Sequence, residues 1–127
     1  MAKIEVKAGG VPEGICTGKF TGVEDGTHEE YGQRKSWKFT ADAGKYDGTD
    51  TGRFTGAIAR PGTACFAMLC AIAGRTLEIG EEFDPDTMIG RRYQLVIEKT
   101  LSGTSTRVAK AILIQDEPAV ANSETPY

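Results

Sequence analysis

The chain has 127 residues, of which 39% are hydrophobic and 26% charged, a composition that indicates a folded domain and excludes a disordered chain. Its 18 acidic residues outnumber its 15 basic residues, so the formal charge is -3 and a histone-like polycation is excluded. The 16 glycines favour turns and bulged strands over long helices.

The first residues and the cysteines both bear on cellular location. Residues 1–10 carry charges at Lys3, Glu5 and Lys7, so they lack the apolar core of a secretion signal. No apolar run in the sequence is long enough to span a bilayer. The three cysteines, odd in number and unevenly spaced, are typical of reduced thiols rather than of a disulfide scaffold. We therefore expect a cytoplasmic protein that makes no membrane contact.

The negative charge is concentrated in the last residues. Residues 1–115 carry all 15 basic and 15 of the acidic side chains, so this part is neutral. Asp116, Glu117 and Glu124 supply the whole of the -3 charge, in a segment with two prolines and little apolar periodicity. The sequence therefore predicts a folded domain over residues 1–115 and a flexible acidic tail over residues 116–127.

Hydrophobic alternation predicts three strands in the first half of the chain. Residues 14–24 alternate loosely around two glycines, whereas residues 34–42 and 50–58 alternate more clearly. A polar loop over residues 25–33 and a turn over residues 43–49 separate them. The predicted inward residues are Trp37, Phe39, Ala41, Phe54, Gly56 and Ile58. The opposite face of these strands then carries Thr17, Lys19, Thr21, Ser36, Lys38, Thr40, Arg53 and Thr55.

The periodicity becomes helical in the second half and then returns to that of strands. Residues 64–73 predict a short apolar helix, with Thr63 as its N-cap and Gly74 as its C-cap. Its residues at helical spacing are Phe66, Leu69, Cys70 and Ala73. Residues 91–100 and 107–115 predict the fourth and fifth strands. The inward residues of the fourth strand are Tyr93, Leu95 and Ile97.

The order of these elements is three strands, one helix and two strands. This β-β-β-α-β-β order is that of the OB-fold, a small five-stranded Greek-key barrel. We therefore predict an all-β fold with one short helix, arranged as an OB-fold-like barrel. A generic small barrel, or a five-stranded sheet with one packed helix, is the competing prediction from the same pattern.

The sequence lacks catalytic and metal-binding motifs. The single histidine, His28, lies beside Glu29 and Glu30 and has no second histidine with which to form a site. The cysteines do not have the short spacings of zinc sites. Neither a phosphate-binding glycine loop nor a nucleophile elbow occurs. We predict a protein that is not an enzyme and that requires no metal or cofactor.

Cations among small hydroxyl residues on the predicted outward face favour a nucleic-acid ligand. Lysine and arginine neutralise phosphates, hydroxyls donate to them, and small side chains allow a strand to approach closely. Cations in the loops and later strands would extend this surface. The candidate phosphate-binding residues are Lys19, Arg34, Lys38, Arg53, Arg60, Arg92 and Arg107. The alternative is that they are the polar outer residues that any barrel requires.

Single-strand binding also requires aromatic side chains on which bases stack. Tyr31 and Tyr46 flank the second strand, where the rim of an OB-fold groove lies, and are candidates for this role. Trp37 is a third candidate, although its alternation with Phe39 favours the core. Acidic residues near the same loops would repel phosphate: Asp25, Glu29, Glu30 and Asp47.

Five short segments resemble a family of small phage and prophage proteins. They are FTGVE at 20–24, YG at 31–32, SWKF at 36–39, RFTG at 53–56, and IGRRY at 89–93, the last leading to a strand with Arg107 and Val108. The likeness covers most of residues 11–115. Proteins of this family are regarded as single-stranded DNA-binding proteins of OB-fold type. The resemblance implies a role in phage or mobile-element replication or recombination, in the host cytoplasm if the protein is phage-encoded.

Two features suggest protein partners. The chain departs from that family in its helix, which has no charged or strongly polar residue. A helix that is apolar all round needs burial on two sides, so we expect residues 64–73 to pack against a second copy. The acidic tail, which ends in Tyr127, resembles tails that compete with DNA and recruit replication or recombination proteins. An ordinary frayed terminus is the alternative for the tail.

These observations predict a non-catalytic protein that binds single-stranded DNA with little sequence preference. The alternative is a protein-interaction or assembly module that uses the same fold without binding nucleic acid. Oligosaccharide binding is a third use of the fold, but a neutral domain with few predicted exposed aromatic residues supports it poorly.

Overall fold

The computed structural model describes residues 10–30, 32–101, 103 and 105–114. Tyr31 and the predicted tail over residues 116–127 lie outside the described residues. The predicted order of three strands, one helix and two strands is confirmed. The elements are β1 (Gly14–His28), β2 (Gly32–Ala41), β3 (Asp50–Gly56), α1 (Ala64–Ala73), β4 (Arg92–Lys99) and β5 (Thr106–Leu113), with 3-10 turns at Gly44–Tyr46 and Pro85–Met88.

β1 and β2 both extend into the polar segment that was predicted to be a loop. Residues 25–28 continue β1 and residues 32–33 begin β2, where a loop over residues 25–33 was expected. The antiparallel ladder continues to the pair of His28 and Gly32, and oppositely charged side chains face each other along it. Asp25 stands opposite Lys35, and the Lys35 Nζ lies 2.5 Å from the Asp25 Oδ1.

The five strands form one antiparallel sheet in the order β3-β2-β1-β4-β5. β1 is central, and a bulge between Phe20 and Gly22 bends it where it passes from β4 to β2. The outer strands β3 and β5 contact each other, but no backbone ladder joins them within the described ranges. The sheet is therefore not closed into the predicted barrel. We call this unladdered contact between β3 and β5 the seam.

An aromatic cluster occupies the core on the inner face of the sheet. The rings of Phe20, Phe39 and Tyr93 pack with centroids 5.5 to 6.3 Å apart in tilted and edge-on geometries. The Tyr93 hydroxyl donates to the Ile72 carbonyl of α1 at 2.6 Å, and burial raises the pKa of Tyr93 to about 12. The predicted inward residues of β4 are confirmed, since Tyr93, Leu95 and Ile97 are all buried.

The predicted faces of β3 are wrong, including that of Arg53, which was expected outward but is half-buried opposite Trp37, on the same side of the strand as Thr55. Phe54 and Ile58 were expected inside but are 58% and 59% exposed, whereas Thr55 was expected outside and is only 6% exposed. The cause is the buried indole of Trp37, whose Nε1 donates to the Thr55 Oγ1 at 2.8 Å. The Thr55 hydroxyl donates in turn to the Gly56 carbonyl at 2.9 Å. A core tryptophan needs an acceptor, so the threonine faces inward and the phenylalanine outward.

The predicted bounds and caps of α1 are confirmed, but its buried side differs from the predicted spacing. Phe66 donates its backbone N–H to the Thr63 Oγ1 at 3.1 Å, and Gly74 ends the helix with a left-handed φ of 79°. The buried residues are Cys65, Met68 and Ile72, and of the residues noted at helical spacing Leu69 packs partly buried against the same core. In an entirely apolar helix the sequence does not mark the buried side. None of the helices described is both long and apolar enough to span a bilayer.

Thr55→Val tests whether the Trp37 bond fixes the face of β3. Valine keeps the shape of the side chain but leaves the indole N–H without its acceptor, which costs about 1–3 kcal/mol of unfolding free energy. Trp37 is the only tryptophan, so its fluorescence in urea reports the loss directly. The matched control is Thr21→Val at an exposed position, which should change the unfolding free energy by less than about 0.5 kcal/mol. Equal stabilities for the two variants would contradict this role.

Candidate nucleic-acid interface

A groove of about 550 Å³ lies between the β2–β3 ladder and the end of the β4–β5 hairpin. Its walls combine small and hydroxyl residues with three cations and one exposed aromatic ring. The lining residues are Thr21, Ser36, Trp37, Lys38, Asp50, Thr51, Gly52, Arg53, Phe54, Thr100, Ser105, Thr106 and Arg107. Gly52 has no room for a side chain, because a Cβ at this position would lie 2.1 Å from the Trp37 carbonyl oxygen. Three of the predicted phosphate-binding residues, Lys38, Arg53 and Arg107, line this one groove.

The three cations of the groove differ in what holds them. Lys38 is exposed, and its Nζ lies 2.8 Å from the Glu24 Oε1. An exposed ion pair of this kind contributes little, so a phosphate can replace the carboxylate at low cost. Arg53 and Arg107 are half-buried, and the Arg53 Nη1 donates to the Ala109 carbonyl at 3.2 Å across the seam. The groove therefore offers one exposed and two half-buried cations.

Phe54 is the residue of this groove that the sequence pattern missed as a stacking candidate. Its ring is more than half exposed, and the guanidinium carbon of Arg34 lies 3.8 Å from the ring centroid. Together the two side chains present a flat, cationic surface on which a base can stack. A buried tryptophan needs an acceptor for its indole N–H, and Thr55 of β3 is the polar residue within reach of Trp37. Recognising this need would have placed Thr55 inside and its neighbour Phe54 outside. Arg34 therefore contributes to the site through Phe54 rather than from the wall of the groove.

The remaining phosphate candidates do not line the groove. Lys19 is exposed on β1, and Arg60 is exposed in the turn before α1. Arg92 is held by Asp42, with its Nε 2.7 Å from the Asp42 Oδ2. Thr17 donates to the other carboxylate oxygen at 2.7 Å. This arrangement gives Arg92 a structural role in joining β4 to the end of β2.

Two of the three predicted stacking residues are accounted for by the core. Trp37 is 1% exposed, so the core interpretation is confirmed and neither of its faces is open to a base. Tyr46 is half-buried against the core, with the Lys45 Nζ 5.4 Å from its ring centroid. It does not line the groove. Tyr31, as noted, lies outside the described residues.

A second cavity, of about 500 Å³, lies between α1 and β5. Its floor is formed by small apolar residues, chiefly Ala64, Ala67 and Ala71 of the helix. Arg75, Lys110 and Arg53, which also lines the groove, supply positive charge at this cavity. The exposed side of α1 is thus lined by alanines rather than by large hydrophobic side chains.

Asp42→Asn tests the structural role of the Arg92 ion pair through its pH dependence. The hydrogen bond from Arg92 is the main cause that holds the pKa of Asp42 below its ordinary value. The carboxylate therefore stabilises the fold above about pH 4, and this stabilisation is lost as the pH falls through the lowered pKa. The variant should lose about 1 kcal/mol of unfolding free energy at neutral pH and less in acid, measured by urea unfolding.

The matched control for this prediction is Asp47→Asn, at an exposed position in the turn that follows Gly44–Tyr46. It removes the same charge without breaking the contacts to Arg92 and Thr17, so its stability should follow that of the unsubstituted protein across the pH range. An Asp42→Asn variant with an unchanged acid response would contradict the assignment.

No protein-family model matches the chain. No curated protein matches its sequence either.

Proposed function

We propose that this protein binds single-stranded DNA in the groove between the β2–β3 ladder and the β4–β5 hairpin, without catalysis and with little sequence preference. The observation that carries the proposal is the exposed Phe54 ring, capped by Arg34, beside the cations Lys38, Arg53 and Arg107. Stacking surfaces next to backbone-neutralising cations are what a sequence-tolerant single-strand site requires.

The local charge of the groove supports this proposal although the whole chain is acidic. Three cations and one carboxylate, that of Asp50, line the groove, whereas the chain as a whole carries -3. The Asp50 carboxylate accepts a hydrogen bond from the Thr40 hydroxyl at 2.9 Å. The lining of the groove is therefore net positive where the aromatic ring is exposed, with Glu24 paired to Lys38, and this favours a polyanion that also presents flat bases.

The strand order supports the finer proposal that the fold is an OB-fold open at one seam. The order β3-β2-β1-β4-β5, with β3 and β5 in contact, is that of the five-stranded barrel without its last ladder. OB-folds bind oligonucleotides over strands 2 and 3 and the adjoining loops. The groove of this protein lies over the same two strands and beside the β4–β5 loop.

The wider role that we propose is in phage or mobile-element replication or recombination. It follows from the resemblance to the phage and prophage family in residues 11–115. The acidic residues after position 115 fit the same role, because a negative segment can compete with DNA or meet a basic partner protein.

Salt dependence of oligothymidine binding tests the electrostatic part of the proposal. Neutralising about three phosphates should give a log–log salt slope of about -2, measured by fluorescence anisotropy of a labelled oligomer. Lys38→Gln should weaken binding and reduce the slope by about 0.7. Lys45→Gln removes another exposed lysine, one that does not line the groove, and should leave both the affinity and the slope unchanged. Equal effects of the two substitutions, or no binding at low salt, would contradict the proposal.

Phe54 tests the stacking part. Phe54→Leu keeps an apolar side chain but removes the aromatic face, and it should weaken oligothymidine binding about tenfold with little change in salt slope. Ile58→Ala, which also removes exposed apolar surface just beyond β3, is the matched control and should bind normally. A Phe54→Leu variant that binds like the unsubstituted protein would show that the ring does not stack on bases.

The second cavity favours an alternative function, a protein-interaction or assembly module in which α1 contacts a second copy. The alanine side of the helix would allow close packing of two such helices. Sedimentation at tens of micromolar tests this proposal. Self-association that Ala67→Glu abolishes, in a variant that still folds, would support it, whereas a monomer at every concentration would exclude it.

A further inference from the structure

We propose that Arg53 and Arg107 form a single phosphate-binding subsite that bridges the seam, so that a bound phosphate joins β3 to β5. This inference rests on the proposed function, because the phosphate would be one of the DNA backbone. It goes further in assigning one phosphate to one pair of side chains and in linking its binding to the closure of the sheet.

The position of the two arginines relative to the seam is the first observation. Arg53 lies in β3 and Arg107 in β5, and both line the groove. Between these strands no backbone ladder is present in the described part of the chain. The Arg53 Nη1 crosses the seam to the Ala109 carbonyl, 3.2 Å away and two residues beyond Arg107. The seam is therefore spanned by a guanidinium where a barrel would have a strand ladder.

The unused donors of these side chains are the second observation. The Nε atoms of Arg53 and Arg107 are both buried, and neither has a hydrogen-bond partner among the described residues. A buried donor without an acceptor is costly, and in native proteins it calls for an explanation. Two such donors on neighbouring cations are explained by an acceptor that carries negative charge and several oxygens. A phosphate has both properties.

The electrostatics of the pair agree with this assignment. Burial lowers the pKa of Arg53, and the charge of Arg107 lowers it further. Glu98 acts in the opposite direction on Arg53 and stands opposite Arg107 in the β4–β5 ladder. It is exposed and forms no ion pair with either arginine in the described structure. The two guanidinium groups therefore repel each other in the free protein, and an anion between them would relieve the repulsion.

The subsite makes opposite predictions for stability and for binding. Arg107→Gln removes the repulsion, so the free protein should melt higher, on the order of 2 °C. The same variant should bind oligothymidine about tenfold more weakly. Lys110→Gln removes a cation from the same strand but outside the groove, and it should change neither binding nor the response to ligand.

The experiment compares the full chain and these variants with two probes, an oligothymidine and an abasic oligomer of the same length. The abasic oligomer carries the phosphates without bases, so it reports on the subsite without stacking. Hydrogen exchange of the β3 and β5 amides, with and without each probe, reports on the seam. The expected result is slower exchange of Val108 to Ala111 with both probes in the unsubstituted protein and in Lys110→Gln, and no such change in Arg107→Gln.

The outcomes separate this inference from the proposed function. Normal DNA binding by Arg107→Gln, or binding without protection of the seam, would overturn the subsite and leave the proposed function intact. If no oligomer binds the unsubstituted protein, the proposed function fails, and inorganic pyrophosphate then tests the pair. If pyrophosphate raises the Tm of the unsubstituted protein but not that of Arg107→Gln, the two arginines still form an anion subsite. If pyrophosphate does not raise the Tm of the unsubstituted protein, the subsite is overturned. If Arg107→Gln does not fold, hydrogen exchange of the unsubstituted protein with the abasic oligomer is the deciding measurement. Slower exchange of Val108 to Ala111 supports the subsite, and unchanged exchange overturns it.

Discussion

The hydrogen bond from the Trp37 indole to Thr55 is the constraint on which the functional face depends. A tryptophan that is 1% exposed must find an acceptor inside the protein, and Thr55 of the neighbouring strand supplies it. Because side chains alternate along a strand, this one bond turns Phe54 outward and places Arg53 on the inner side at the seam. One core contact therefore sets the side of β3 on which Phe54 and Arg53 each lie.

The open seam gives these side chains a chemical use. A sheet closed by a ladder would satisfy its edge strands with backbone hydrogen bonds, whereas here a guanidinium reaches across from β3 to Ala109. Arg53 and Arg107 retain buried donors without partners in the described structure. Natural proteins concentrate such unfavourable features at functional sites. The same strands that leave the barrel incomplete thus hold the charges that a polyanion would neutralise.

The sequence predicts the elements of this fold better than their faces. The order of the elements along the chain, the bounds of α1 and the inward face of β4 follow from periodicity and capping residues. The face of β3 does not, because hydrophobicity alone places Phe54 inside and gives no weight to the polar partner that Trp37 requires. The site is predictable to a similar extent. The cations of the groove can be predicted from residue type and strand position. The role of Arg92 cannot, because its ion pair is with Asp42, 50 residues away in the chain.

The location of the nucleic-acid site can be measured by chemical-shift mapping of the isotopically labelled protein during titration with oligothymidine. If DNA binds in the groove, the shifts should concentrate in the backbone amides of Lys38, Gly52, Phe54 and Arg107, with α1 unaffected. Shifts confined to α1 and the cavity beside it, or no shifts at low salt, would contradict a nucleic-acid site on the β2–β3 ladder.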